Sequence, residues 1–187
     1  LRDVVNSLKE YTPGKNPEKD GVIKLASNEN HFGSSHFAIQ AIEKELSRSN
    51  IYPDQKANLL REKLSDHLFI DRDSIIVGDG SDEIMQIAGI AAISAGDEIL
   101  IPDKTFSVYT FVAKLFNGTP IFAELKDGEI SLENLAKKIT AKTKIIFIPN
   151  PNNPTGTIFK KDELATFLKS VPETTLLVID EAYREFV

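Results

Sequence analysis

From Ser74 onward, short apolar runs alternate with amphipathic stretches, and turn-forming residues separate them. The runs at Ser74–Val77, Ile99–Ile101, Ile121–Glu124, Ile145–Ile148 and Leu176–Ile179 are too short for helices and rich in branched side chains, so they predict buried strands. Between them lie predicted helices over Glu83–Ala95, Ser107–Phe116, Ser131–Ile139 (capped by Ser131) and Asp162–Ser170, with Gly96, Asn117-Gly118 and Asp127-Gly128 as stops or turns. Repeated units of this kind imply a mainly parallel sheet covered by helices on both faces, with right-handed crossovers. Ahead of this region the pattern is less regular. A helical turn over Val4–Lys9 is halted by Tyr11-Thr12-Pro13-Gly14, and Val22–Ala26 reads as a brief strand. Two helices follow: one capped by Ser34 or Ser35 and carrying Phe37, Ile39, Ala41, Ile42 and Leu46, the other carrying Leu59, Leu60, Leu64 and Leu68.

Composition narrows the class. With 187 residues the chain can bury a sizeable core, and 41% hydrophobic with 27% charged residues argues against disorder. The apolar runs are too short to cross a bilayer. A net charge of -6 without a basic cluster excludes a nucleic-acid surface, which needs clustered cations against phosphate. The absence of cysteine removes disulfides, thiol nucleophiles and thiolate metal sites. His31, His36 and His67 fit no metal template, so no metal is expected. With no secretory pattern near Arg2 and Asp3, the cytoplasm is the expected compartment.

In an open α/β sheet, ligands bind outside the carboxyl ends of the strands, and three polar clusters fall there. The Gly78-Asp79-Gly80-Ser81-Asp82-Glu83 turn joins a strand to a helix, where free N–H groups hold phosphate. Glu83 stands where a dinucleotide fingerprint needs a third glycine, and no Gly-Lys-Ser/Thr follows. A plain helix start is the alternative. Asp79 and Asp82 would serve an anion only through their backbone. The second cluster, Asn150-Pro151-Asn152-Asn153-Pro154-Thr155-Gly156, holds an amide at a strand end, ready to donate to a ligand oxygen or to shape a structural turn. In the third, Asp180 follows four apolar residues and needs a cationic or hydrogen-bonded partner; Tyr183 offers a phenol to the same crevice or serves as a surface aromatic. Phe106, after another strand, is placed to cover a flat ligand or to join the core.

Taken in order, these residues resemble the fold-type I pyridoxal-phosphate aminotransferases, most closely the histidinol-phosphate aminotransferase branch. The resemblance runs through Tyr11-Thr12-Pro13-Gly14-Lys15, Asn28-Glu29-Asn30, Tyr52-Pro53-Asp54, Gly80-Ser81-Asp82-Glu83, Thr105-Phe106-Ser107-Val108-Tyr109, Asn150 to Gly156, and Asp180-Glu181-Ala182-Tyr183. It implies that Asp180 pairs with the pyridinium nitrogen of pyridoxal 5'-phosphate, keeping it protonated. It further implies that Asn153 and Tyr183 bond the phenolic oxygen, Phe106 stacks on the ring, and Gly80, Ser81 and Asp82 hold the phosphate. Tyr52 would reach the phosphate of a neighbouring subunit, which makes a homodimer. Tyr11, Asn28 and Asn30 would line the substrate side. His31 replaces a common proline, Asp79 an asparagine, Lys104 a proline and Phe106 a tyrosine.

The resemblance also implies an organisation and an activity. Residues 1–50 correspond to an N-terminal arm and part of a small domain, and 51–187 to part of the large cofactor-binding domain. The Schiff-base lysine and the substrate-binding arginines fall on segments beyond this sequence, so no lysine here is assigned that role and the chain alone is expected to be inactive. The expected activity of the whole protein is amino-group transfer between L-histidinol phosphate and 2-oxoglutarate in histidine biosynthesis. The alternatives are a pyridoxal-phosphate decarboxylase of the same branch, of the threonine-phosphate type, and a non-catalytic phosphate-ligand or nucleotide-binding module.

Overall fold

Period-two alternation along two central strands decides how the sheet is covered. The computed structural model describes residues 3–8, 14 and 21–187. In chain order the elements are α1 (Asp3–Ser7), α2 (His36–Glu45), α3 (Asn58–Leu68), α4 (Gly80–Ala92), β1 (Glu98–Pro102), α5 (Ser107–Leu115), β2 (Thr119–Ala123), α6 (Leu132–Lys138), β3 (Thr143–Pro149), α7 (Lys161–Leu168) and β4 (Leu176–Asp180). The strands form one parallel sheet in the order β2-β1-β3-β4. Its β3–β4 register pairs Ile145 with Leu176 and Pro149 with Asp180.

Successive strand side chains point to opposite faces. Ile99 and Ile101 of β1 and Ile145 and Phe147 of β3 therefore pack on one face with Met85 of α4 and Tyr109, Val112 and Ala113 of α5. Their neighbours Leu100, Ile146 and Ile148 pack on the other face with Leu132 and Leu135 of α6, Phe159, and Phe167 of α7. Both faces are dry, which is why these strands read as unbroken apolar runs rather than alternating ones. Each fully buried Ile, Leu or Phe contributes about 1.5–3 kcal/mol relative to exposure. The expected α/β architecture, with helices on both faces of a mainly parallel sheet, is the observed one.

Two expected strands do not form. Arg72–Ser74 make a 3-10 turn closed by the Asp71 carboxylate, which accepts the Asp73 N–H at 2.9 Å, and residues 75–78 pair with no strand among those described. Residues 22–26 likewise join no strand among the described residues, with Leu25 86% exposed. A strand exists only when a neighbour satisfies its N–H and C=O groups, and composition does not reveal that neighbour. A third correction concerns α4, which begins at Gly80 rather than Glu83. Glu83 reaches back so that its carboxylate accepts the Asp79 N–H at 2.5 Å. That contact draws Gly80, Ser81 and Asp82 into the first helical turn.

The chain divides into two compact units, residues 9–76 and residues 1–8 with 77–187. The second contains the sheet and both cores. In the first, neither α2 nor α3 buries a residue, and Ile42, Leu46 and Leu59 are exposed. Ser35 stands at the N-cap of α2 without making a side-chain cap bond. The α3 end is held instead by Asp54, whose carboxylate accepts the N–H of Asn58 at 2.8 Å and of Lys56 at 3.0 Å. Those two donors, Asn58 first, hold the Asp54 carboxyl below its ordinary pKa. Among the described residues no helix is long and apolar enough to cross a membrane.

Candidate active site

Parallel pairing brings the carboxyl ends of β1, β3 and β4 to one edge of the sheet, and the loops leaving them are knitted together. The Asn150 N–H donates to the Asp180 carbonyl at 2.9 Å, so the ends of β3 and β4 are locked level. Asn152 is only 2% exposed, and its side chain joins the loops after β1 and β3. Its oxygen accepts the Thr105 hydroxyl at 2.8 Å, and its amide donates to the Lys104 carbonyl at 3.3 Å and to Thr155 Oγ1 at 2.9 Å. Asn150 clamps the return of the same loop, accepting the Phe159 N–H at 3.1 Å. Thus two of the three asparagines are structural. The third, Asn153, is half-buried and makes no side-chain hydrogen bond among the described residues, leaving its amide available to a ligand.

Asp180, the last residue of β4, is half-buried and held at both oxygens. Tyr109 Oη donates to Oδ2 at 2.6 Å, and the Ala182 N–H donates to Oδ1 at 3.0 Å. The Tyr109 ring is fully buried, stacked on Phe147 with centroids 5.0 Å apart and planes 6° from parallel. Phe106, at the N-cap of α5, meets it edge-on at 5.9 Å. Burial above all, then the hydrogen bond to Asp180 and the charges of Asp180, Asp82 and Tyr183, push the Tyr109 phenol far above its ordinary pKa. Tyr109 is therefore a permanent donor.

At the start of α4, the Ser81 and Asp82 N–H groups and the Ser81 hydroxyl have no partner among the described residues. Gly80 has φ +78 with open space where a Cβ would stand, a backbone conformation that glycine adopts without strain. Desolvation, and secondarily the charge of Asp180, push the Asp82 carboxyl above its ordinary pKa. Two carboxylates and two phenols thus lie within electrostatic reach of one another, contributed by α4, α5 and the end of β4.

That crowding has a measurable consequence. A carboxyl whose folded pKa is raised supports folding fully below the ordinary carboxylate pKa, and that support is lost as pH rises through the raised value. The substitution Asp82→Asn is expected to stabilise the cofactor-free chain at neutral pH by a few tenths of a kcal/mol, because the group is largely exposed and screened. The gain should vanish as pH falls below the ordinary carboxylate range. Denaturant melts of both chains across that range check it, and a gain that grows on acidification would contradict the assignment.

Tyr183 is half-buried, its ring 6.5 Å from Phe186. In the unit formed by residues 9–76, Tyr52 is exposed and its oxygen accepts a bond from Gln55 Nε2 at 3.0 Å. Asn28 has φ +51 at an exposed turn. Asn30 spends its side chain on the next turn, donating to the Gly33 carbonyl and accepting the Phe32 N–H, both at 3.1 Å. Tyr11 lies outside the described residues.

Tyr109, which bonds Asp180, and Asn152, which ties two loops together, are the residues that sequence reasoning did not single out. The only available signal for Tyr109 was a tyrosine, rather than phenylalanine, at a core-facing helical position one turn after Phe106. A buried phenol needs a hydrogen-bond partner.

Comparison with known proteins converges on one family. The sequence pattern of the family described as aminotransferase class I and II matches residues 20–187. The chain is 40% identical over 193 residues to the histidinol-phosphate aminotransferase of Moorella thermoacetica, covering 100% of this chain and 50% of the relative. It is 41% identical over 194 residues to that of Caldicellulosiruptor saccharolyticus, covering 54% of the relative. The chain thus spans about half the length of the curated relatives it matches. In structure it is similar to the histidinol-phosphate aminotransferase of Sinorhizobium meliloti in complex with pyridoxal-5'-phosphate, with a TM-score of 0.82 at 26% identity over 85% of this chain and 44% of that one. The corresponding enzyme of Clostridium acetobutylicum gives a TM-score of 0.75 at 28% identity over 86% and 47%. By the match over residues 20–187 and the identity of about 40% along its whole length, the chain belongs to the class I and II aminotransferases, as a homologue of the histidinol-phosphate aminotransferases.

Proposed function

We propose that the protein containing this chain transfers an amino group between L-histidinol phosphate and 2-oxoglutarate, in histidine biosynthesis, with pyridoxal 5'-phosphate as cofactor. The observation that carries this reading is the Asp180 carboxylate at the carboxyl end of β4, fixed at both oxygens and within electrostatic reach of a second carboxyl, that of Asp82. Such a site calls for a cation with an N–H, and a protonated pyridine nitrogen supplies one. The donor set fits the rest of the group: unpartnered N–H groups at the start of α4 suit a phosphate, and the unbonded Asn153 amide suits a phenolic oxygen.

When bound, the cofactor supplies an electron sink for bond breaking at the substrate's amino-bearing carbon. The chain's own part is to hold and orient. Asp180 keeps a proton on the ring nitrogen by charge pairing. Asn153 and Tyr183 bond the phenolic oxygen, Phe106 covers a ring face and shuts out water, and the backbone of Gly80, Ser81 and Asp82 takes the phosphate. In this reading Tyr52 completes the phosphate site of a second copy, making a homodimer, and Tyr11, Asn28 and Asn30 lie toward substrate. Residues 1–50 then belong to an arm and part of a small domain and 51–187 to part of the large domain. The Schiff-base lysine and the substrate-binding arginines would come from the portion corresponding to the relatives' other half. This chain alone would be inactive, and a cytoplasmic location accords with the pathway.

The test is a product assay on a protein of the relatives' length, given L-histidinol phosphate, 2-oxoglutarate and pyridoxal phosphate. Glutamate formation dependent on both substrates is expected. Carbon dioxide released from threonine phosphate without glutamate would replace this reading with a decarboxylase. Retention of nucleotide but not pyridoxal phosphate would replace it with a binding module.

A further inference from the structure

We infer that Tyr109 is a positioning residue for the cofactor's ring nitrogen, acting through Asp180: its phenol fixes one carboxylate oxygen so that the remaining lone pairs face the crevice at a set angle. The inference rests on the proposed pyridoxal-phosphate site and adds to it a residue that touches Asp180 rather than the cofactor.

The geometry is unusually constrained for a side chain outside the ligand crevice. Tyr109 is fully buried, and its ring is stacked on Phe147 with centroids 5.0 Å apart and set nearly perpendicular to Phe106 at 5.9 Å. Its hydroxyl therefore has one place to go, Asp180 Oδ2 at 2.6 Å. The charged and titratable groups within its reach are Asp82 on α4, Asp180 at the end of β4 and Tyr183 beyond it, and none of them is a base that would take the phenol proton at neutral pH. The bond's polarity is thus fixed, with Tyr109 donating and Asp180 accepting. With the Ala182 N–H on Oδ1, the carboxylate can neither rotate about its terminal torsion nor swing to another rotamer without breaking a charge-assisted bond. A preset partner strengthens an ion pair because no orientation has to be frozen on binding. Packing alone would be served equally well by phenylalanine; the hydroxyl is the part that packing leaves unexplained.

The test is Tyr109→Phe, which keeps the ring and its stack on Phe147. Parent and variant are loaded with pyridoxal phosphate carrying 15N at the ring nitrogen. Dissociation constants are measured, and the nitrogen resonance is followed against pH. In the variant, affinity is expected to weaken about tenfold and the pH at which the ring nitrogen loses its proton to fall by about one unit, the loss of one bond to a charged group. Unchanged affinity and an unchanged nitrogen titration in a folded variant would overturn the inference while leaving the proposed cofactor site standing. Failure of the parent to hold the cofactor would overturn both. A measurement on the parent covers the case in which the variant does not fold. The Tyr109 hydroxyl proton, bonded to a carboxylate, should give a slowly exchanging downfield resonance that shifts when pyridoxal phosphate is added. A resonance indifferent to the cofactor would sink the inference.

Discussion

Replacing Asp180 with asparagine in a protein of the relatives' length should lower kcat/KM for amino-group transfer by roughly a hundred- to a thousandfold without unfolding it. Removing one partner of a largely desolvated charge pair costs about 3–5 kcal/mol, and each 1.4 kcal/mol is about tenfold in rate. The asparagine is isosteric, and its single carbonyl oxygen can keep the bond from Tyr109 Oη while the bond from the exposed Ala182 N–H is given up, so the fold is retained. What disappears is the negative charge that, in the proposed site, would keep the ring nitrogen protonated. Steady-state kinetics alongside circular dichroism make the test. A loss under tenfold in a folded variant would mean that Asp180 caps the turn at Ala182 and does little else.

Truncating Phe147 to alanine should destabilise the chain by about 3–5 kcal/mol, the range for a fully buried aromatic. Against a typical total of about 5–15 kcal/mol, that is a large share. Phe147 lies at the centre of the core shared by α4, α5, β1 and β3, and its ring face supports Tyr109. The variant should therefore also loosen Asp180 before it unfolds globally. Denaturant melts give the stability loss. A shift below about 1 kcal/mol would show that the stack is not packed as described, since cavities of this kind rarely close completely.

These two residues also mark how far the sequence could be read. Phe147 and its neighbours were legible because β3 is buried on both faces, so Ile145–Ile148 forms an unbroken apolar run between turn formers. Asp180 was legible for the complementary reason, a charge placed directly after four apolar residues. The absence of strands at 22–26 and 75–78 among the described residues was not, because strand formation depends on a distant partner rather than on local composition. The start of α4 was missed by three residues, since a glutamate reaching back to an N–H looks, in sequence, like any other helical glutamate. Asn152 and Asn153 carry the same side chain between the same prolines, and only the tertiary contacts of Thr105 and Lys104 separate the framework residue from the available one.

The pairing of Pro149 with Asp180 has a consequence for which length changes this protein tolerates. Val178, two residues before Asp180, packs on the α4–α5 face, whereas Leu177 packs on the α6–α7 face. Adding or deleting a single residue within β4 would carry the carboxylate through the sheet to the side where Leu135 and Phe167 sit, among hydrocarbons and away from Tyr109. The same change in the exposed stretch from Pro172 to Thr174 would be absorbed as slack. The chemistry of the crevice is thus protected by parity, and insertions should be confined to the connecting segments.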